Sequence, residues 1–446
     1  MNEDTCTTLL ADGAFRSFVN VISKRCLTWE EFLALPQPRD MSPLQTWGVL
    51  NDLSRCLGVP INIPDLEDNT YFYRRTHELN TTTELIACAC RAGSRLDTVM
   101  SAAAGKQFLT ASKIEETLAA AQLDGLTISE EDAKVLLRLD RTPQDDTARL
   151  LVNIRDAFDH VPDLVEERFS LELLHHLRDL ILKDVDPGAL RRQTPSVGIL
   201  LGAASPDERK SRLLAGQQIE RITAYANGET ADPHDIPVLR SIVISDAMRY
   251  YSPLGPVSSQ VGRLAERLYA IKNGFPVLGL LPLSRVKIDW EKGLIAPPRV
   301  SFDRNMYVTL RERSPFDSTA HQTLAAQLTL VALGNLEKHI DGWEKQDEEM
   351  RLILHRDPLL NHRQRTILAR ALRNPEAEFR IRYHQMNHNI HYTTARRDLL
   401  ELQEKGYLSM VQRGKAFMFL RGPKLRELER ARAANVTARA PASLAR

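Results

Sequence analysis

No apolar run in the 446 residues approaches the length of a bilayer span, and no charged-then-apolar leader opens the chain. Both absences lead to the expectation of a cytoplasmic chain with no membrane partner. Cysteine is scarce. Cys6, Cys26, Cys56, Cys88 and Cys90 all fall in the first quarter, and an odd, clustered set suggests reduced thiols rather than a disulfide framework. Cys88 and Cys90 lack CxxC spacing and a nearby histidine, so they read as small packing residues of a helix, and no metal site is expected. Internal repeats are missing, and low complexity is confined to an Ala/Arg-rich tail from about Arg430. Charge of one sign is missing overall, since the net charge is +1, with 26% charged and 43% hydrophobic residues, an ordinary globular composition.

The near-neutral total hides an asymmetry. Residues 360–446 carry 18 Lys/Arg against 7 Asp/Glu, a net +11, which leaves about −10 on residues 1–359. A basic module on an acidic body suggests a polyanion partner at one end, or a solvated basic tail.

Apolar residues recur at helical spacing through "ASKIEETLAAAQLDG", "EEDAKVLLRLDR", "DDTARLLVNIRDAFDHV" and "SLELLHHLRDLILKDV". Ser129 followed by Glu130 and Glu131 reads as an N-cap with first-turn carboxylates. The first hundred residues mix short helices with Pro-rich connectors. The expected fold is mainly α, divided into an N-terminal helical region (1–105), a helical body (106–355), a C-terminal module (356–422) and a basic tail (423–446) expected to be disordered. A linker is expected around His355–Leu360.

One stretch carries most of the chemical information. Ser252-Pro253-Leu254-Gly255-Pro256-Val257-Ser258-Ser259-Gln260-Val261-Gly262-Arg263 resembles the HPFxxGNGRxxR motif of the Fic family. The flanking segments keep the family's order. "LHHLRDLILKDVDPGALRR", with Gly188 and Arg191, resembles the opening helix, and "IPVLRSIVISDAMRYY" and "VGRLAERLYAIKNGFPVLGLLPLS" resemble the helices around the motif. "AAAQLDGLTIS" resembles the inhibitory segment [S/T]xxxE[G/N], with Ala120, Asp124 and Gly125 at its marked positions.

The resemblance implies a Fido-like helical bundle that in active relatives moves AMP from ATP onto a protein hydroxyl. Here the parts are missing. Ser252 stands at the catalytic histidine and is no general base near neutral pH. Pro256 stands at the metal-binding acidic position and offers no hard oxygen ligand. Val257-Ser258-Ser259 replaces Gly-Asn-Gly, and neutral Gln260 replaces the first arginine. Asp246 and His234 are the nearest substitutes for a base, and neither falls at the base position of a continuous helix. The resemblance therefore implies a degenerate site with no catalytic residue and no cofactor. Ser252, Ser258, Ser259, Gln260 and Arg263 remain as a vestigial anion-binding set. The competing reading makes Arg263 structural, in a salt bridge to Asp124.

In the C-terminal module, "LNHRQRTILARAL" reads as a helix capped by Asn361. "EFRIRYHQMNHNI" reads as a short strand, Phe379–Ile381, running into a second helix. "HYTTARRDLLELQEKGYL" reads as a third helix with Thr393 as N-cap and Gly406 as its stop. "GYLSMVQRGKAFMFL" reads as two strands about Arg413-Gly414-Lys415. This order looks like a winged helix-turn-helix of the kind found after many Fic domains. Such modules contact bases with the N-terminal residues of the third helix. The expected double-stranded DNA contacts are Tyr392, Thr393, Thr394, Arg396 and Arg397 on that helix, Arg413 and Lys415 on the wing, and Arg380 and Arg382, with His388, beside them. Asp398, Glu401 and Glu404 further along are expected to limit how deeply the helix sits.

The function expected is a transcriptional regulator acting as a homodimer. The alternatives are an atypical AMP or nucleotidyl transferase, whose mark would be a histidine or paired carboxylates converging on Ser252, and a non-catalytic protein-binding pseudoenzyme. A protein or intramolecular clamp is the other use open to the C-terminal module.

Overall fold

The computed structural model describes residues 11–38, 41–65, 67–102, 105–126, 128–138, 142–186, 208–297, 310, 312–373, 377–388, 390–413 and 416–427. Gly188, Arg191, Lys415 and the tail from Arg430 lie outside them. The described structure is mainly helical, as the apolar periodicity requires, and it divides into two compact units, Met1–Leu336 and Glu337–Arg446. The first hundred residues fall within the first unit. The division lies ahead of the boundary expected after residue 355.

The first unit opens with α1 (Gly13–Lys24), α2 (Trp29–Ala34) and α3 (Pro43–Leu57). Each start is written in the sequence. Asp12 accepts from the backbone N–H of Ala14 and Phe15, and Thr28/Glu31 and Ser42/Gln45 form capping boxes, with Pro43 at the first helical position. The three helices close on Phe18, Trp29, Phe32 and Trp47, whose rings meet at 4.8–5.3 Å. The Arg313 guanidinium lies 3.8 Å from the Trp29 ring. A short antiparallel hairpin follows, β1 (Val59–Ile61) and β2 (Tyr71–Tyr73), in the register Val59↔Tyr73.

The body consists of α4 (His77–Cys90), α5 (Arg95–Ser101), α6 (Gly105–Leu123), α7 (Glu130–Arg138), α8 (Asp146–His160), α9 (Leu171–Ile181), α10 (Glu208–Ala226), α11 (Pro237–Tyr251), α12 (Ser258–Lys272) and α13 (Leu283–Glu291). The next helix, α14, spans Thr319–Arg356. Ser129 starts α7, its Oγ accepting from the Asp132 N–H at 3.4 Å. Cys90 is buried in α4 and Cys88 is exposed. Burial pushes the thiols of Cys26 and Cys90 up to about 12, so both stay protonated.

Two features lock the centre of this unit. Asp235 is buried and accepts from the hydroxyls of Tyr73 (2.7 Å) and Tyr225 (2.8 Å) and from Arg240 Nε (2.8 Å), tying β2, α10 and α11 together. α11 and α12 form the most extensive helix pair. Gly262 makes their approach possible, because a Cβ there would stand 2.8 Å from Met248 Cβ and 3.0 Å from the Ser245 carbonyl.

In the second unit, α15 (His362–Arg373), α16 (Ile381–His388) and α17 (Tyr392–Glu404) precede β3 (Leu408–Arg413) and β4 (Ala416–Arg421). The strands pair antiparallel, Leu408↔Arg421 through Arg413↔Ala416. Leu360, Ile367, Leu368, Leu399, Leu402, Tyr407 and Phe419 are among the residues of one apolar core. Asn361 caps α15 through a reciprocal pair with Gln364, at 2.9 and 3.0 Å. Gly406, at φ +78°, stops α17.

Three local expectations are corrected here. The segment Phe379–Ile381 is not a strand. Phe379 makes a single two-bond bridge to Phe419 (2.9 Å each way), and α16 already begins at Ile381. Thr393 is not the cap of α17, since the helix begins at Tyr392 and His391 holds the cap position without a side-chain bond. Finally, Asp398 does not face outward, for the reason given below.

Candidate functional site

The motif stretch forms the corner between α11 and α12. α11 ends at Ser252, which takes a left-handed conformation (φ +46°), and Gly255–Val257 make a single 3₁₀ turn before α12 starts. Several polar groups of this corner are engaged within the chain, although the buried Gln260 Oε1 has no hydrogen-bond partner among the described residues. Ser252 Oγ donates to the Arg249 carbonyl at 3.0 Å, and Ser258 Oγ, buried, accepts from the Leu254 N–H at 2.8 Å. Gln260 Nε2 donates to Asp124 Oδ2 at 2.5 Å, and Arg263 binds both Asp124 oxygens, Nη1–Oδ2 at 2.9 Å and Nη2–Oδ1 at 3.0 Å. The salt-bridge reading of Arg263 is therefore the one the structure bears out. It is a bidentate pair with little exposure on either side. Burial alone would lower the Arg263 pKa; the Asp124 charge and hydrogen bonds outweigh it.

Beneath this corner lies a cavity of about 320 Å³. α12 presents Ser259, Arg263, Glu266, Arg267 and Ala270 to it, one face at three- and four-residue spacing. Opposite stand Glu116 of α6, Asp246 and Arg249 of α11, Lys287 and Trp290 of α13, and His321 of α14.

His321 Nε2 lies 2.6 Å from Asp246 Oδ2. Burial alone would raise the Asp246 pKa, yet the His321 charge and hydrogen bond, with Arg249 beyond, hold that carboxyl well below the usual range. This dyad is invisible in the sequence, where the two residues are 75 positions apart. Asp246 had a place among the possible substitutes for a base, and His321 supplies the partner that one-dimensional spacing could not. His234 is exposed.

Two further carboxylates of the cavity, Glu116 and Glu266, are also engaged. Glu116, pushed up by burial, accepts from Ser284 N–H (2.8 Å) and Ser284 Oγ (2.6 Å). Burial raises Glu266 to about 8, with the negative neighbours Asp246 and Glu116 adding to burial and a hydrogen bond to Ser245 opposing it. Glu266 is therefore mostly a neutral acid at pH 7.

The second unit offers a different kind of site, an exposed basic helix face. Tyr392, Thr393, Arg396 and Arg397 are exposed at the N-terminal half of α17 and Thr394 is half-buried, while Ala395, Leu399 and Leu402 pack into the core. Arg380 and Arg382 are exposed where α16 begins, Arg380 lying 3.6 Å from Glu378. His388 is half-buried, and Arg413 closes β3.

Asp398 sits 1% exposed in the middle of this unit. It accepts from Arg363 Nε (2.6 Å) and Nη2 (3.0 Å) and from Asn361 Nδ2 (2.9 Å), and His384 Nε2 lies 3.2 Å away. Burial alone would raise its pKa; these bonds outweigh burial and lower it. The carboxylate thus holds α15, α16 and α17 together and subtracts nothing from the outer surface. Its presence on the buried stripe Ala395–Asp398–Leu399–Leu402 was the signal available in the sequence.

Among the described residues, no group of three His, Cys, Asp or Glu side chains is placed to hold a metal, and no helix is long and apolar enough to cross a membrane. No family model matches the sequence. No curated protein matches it either.

Proposed function

We propose that this chain is a DNA-binding transcriptional regulator, in which a winged helix-turn-helix module (356–422) reads double-stranded DNA and a Fic-like body (106–355) lacks the groups of nucleotide transfer. The observation that carries the reading is the split of α17, with Arg396 and Arg397 exposed on one side and Ala395, Leu399 and Leu402 buried on the other. A helix of that kind offers guanidinium groups to guanine N7 and O6 in the major groove. The net +11 over residues 360–446 gives the accompanying attraction to phosphate.

The Fic-like reading of the body draws support from one contact. Asp124 and Arg263, matched to the inhibitory acid and the second arginine by resemblance, meet at 2.9 Å. Operators for such modules are usually two-fold symmetric, so the regulator acts as a homodimer.

Anisotropy on labelled fragments from the gene's own upstream region, with competitor DNA and a salt series, tests the reading. Wild type binds specifically and with a steep salt slope, and the Arg396→Ala/Arg397→Ala protein loses about ten-fold or more. Binding no better than competitor sinks it.

A second reading has one observation behind it, the Asp246–His321 dyad. In an atypical nucleotidyl transferase His321 is the base that Ser252 cannot be. Incubation with labelled ATP and the protein's own surface hydroxyls, followed by intact mass, checks this. An added nucleotide mass that vanishes in His321→Ala favours the enzyme.

A further inference from the structure

Two cations at the cavity of the first unit have no ion-pair partner among the described residues. Arg267 is 8% exposed and lines the cavity, and among the described residues its guanidinium makes no hydrogen bond or ion pair; its close neighbour is the face of the Phe158 ring, 4.7 Å away. Lys287 on α13 lines the same cavity and likewise makes neither. The nearby acids act on them only at a distance: the charges of Glu116 and Asp159 favour the charged form of Arg267, and those of Asp246 and Glu291 favour that of Lys287, yet none forms a direct ion pair with either among the described residues. Asp246 is held by His321 and Arg249, Glu116 by Ser284, and Glu266 is largely protonated. Arg263 belongs to Asp124.

A buried, unpartnered cation is costly, and chains keep one where a ligand supplies the missing charge. Burial lowers the Arg267 pKa to about 10, and for the half-buried Lys287 desolvation together with the Arg249 charge lowers it as well. The cavity's apolar lining includes Leu123, Phe158, Ile242, Leu281, Leu324 and Trp290. A volume of about 320 Å³ stands at the small end of ligand pockets.

We propose that this cavity binds a small organic anion with an apolar body, its carboxylate held by Arg267 and Lys287 and its hydrocarbon or ring portion by the Phe158 and Trp290 walls. Of these residues Arg267 lies one turn beyond Arg263 on α12 and Lys287 lies on α13, and the ligand proposed is a carboxylate rather than a nucleotide phosphate. The proposal does not depend on DNA binding, because its test contains no DNA.

The test is thermal unfolding of the full chain in a chloride-only buffer, with hexanoate or benzoate as probe, hexanamide and benzamide as neutral controls, and ATP as a separate arm. The variants are Arg267→Met and Lys287→Met, which remove charge and keep most of the volume. We expect at least one carboxylate to raise the wild-type midpoint by roughly 2 °C or more, the amides to leave it in place, and each variant to lose the response. Without any probe, Arg267→Met melts at or above wild type, since an unpartnered cation has been removed. A ligand-free Arg267→Met that melts several degrees lower would show that Phe158 and Glu116 already satisfy the guanidinium, and overturns the proposal. No response to either carboxylate, equal responses to acid and amide, or a response to ATP alone overturns it equally.

Discussion

The two units spend their charged residues in opposite ways. In the first, Glu116, Asp246, Arg263, Glu266, Arg267 and Lys287 turn inward around one cavity. In the second, Arg380, Arg382, Arg396 and Arg397 turn outward, and the chief inward charge is Asp398 with its partners. Arginine is common to both, and what differs is whether the protein itself provides the counter-charge. Arg363 and Arg263 have carboxylates of their own and serve as structure. Arg267 inside, and Arg396 and Arg397 outside, leave their hydrogen-bonding capacity to something that is not part of the chain, apart from a loose 3.8 Å approach of Arg397 to Glu401. The comparison separates cations that hold the fold from cations that the proposals above give to a partner.

The sharpest way to break that distinction is to remove a carboxylate from the structural class. Asp398→Ala strands Arg363 and His384 beside a void, and breaking a buried pair costs about 3–5 kcal/mol. The second unit is therefore expected to melt far below wild type, and DNA affinity to go with it. The sign with pH follows from the lowered pKa. Wild type holds this stabilisation above the carboxyl's ordinary value of 3.8 and loses it as pH falls through the lower folded value. The variant shows no such acid limb. Circular dichroism melts between pH 3 and pH 7 check both parts, and a change in midpoint of only a degree or two would place Asp398 outside the structural class.

Asp124→Ala is the counterpart in the first unit, leaving Arg263 and Gln260 without their acceptor. The loss is expected at about 3 kcal/mol, given partly buried partners. The double change Asp124→Leu/Arg263→Met recovers most of it, because an apolar pair of similar volume carries no desolvation penalty. A cycle of Asp124→Leu, Arg263→Met and the double variant on the melting midpoint measures the coupling. Little coupling would mean that Arg263, like Arg267, is held for a ligand.

Glu266 tests the interior from the acid side. Its folded pKa of about 8 lies above its ordinary 4.5, so the unfolded chain releases the proton first as pH rises. Stability from this group is present at low pH, declines between about 4.5 and 8, and levels off above. Glu266→Gln removes that decline and is expected to stabilise the chain by about 2 kcal/mol at pH 8, discounted because the carboxyl faces a cavity rather than packed protein. Denaturant midpoints at pH 5 and pH 8 give the slope directly. An unchanged slope would leave Glu266 ionised in the fold.

What was legible in the sequence follows the range of the forces involved. Helix periodicity, the Asn361 cap and the Gly406 stop are local, and all are present in the fold. The order of strands β3 and β4 was legible for the same reason. The Asp124–Arg263 pair, 139 residues apart, was reachable only through a family resemblance that named both positions. His321 against Asp246 had no such guide, and no local rule joins positions on α11 and α14. Asp398 was misjudged because a carboxylate beside two arginines looks solvated, although its place in the 395–398–399–402 stripe pointed inward. Arg267 went unremarked because α12 is buried nearly all round, which a single helix does not disclose.

The outer cations allow the finest comparison. Arg380 is exposed but stands 3.6 Å from Glu378, whereas Arg396 has no acid partner among the described residues. An exposed pair of this kind is worth little to the fold, so neither alanine variant should move the melting midpoint by more than a degree. On DNA they should differ. Arg396→Ala is expected to weaken the specific site more than competitor, because a base contact is lost. Arg380→Ala should weaken both equally, by less than about five-fold, and flatten the dependence on salt by at most about one ion. Its slope change falls short of a full ion to the extent that Glu378 already neutralises it in the free protein. A salt titration of Arg380→Ala beside Glu378→Gln reads that extent, since removing the acid should steepen the wild-type slope by what Arg380 then contributes. If Arg380→Ala leaves the slope unchanged while Glu378→Gln steepens it, Arg380 belongs with Arg363 and Arg263 as a charge whose partner is already within the chain.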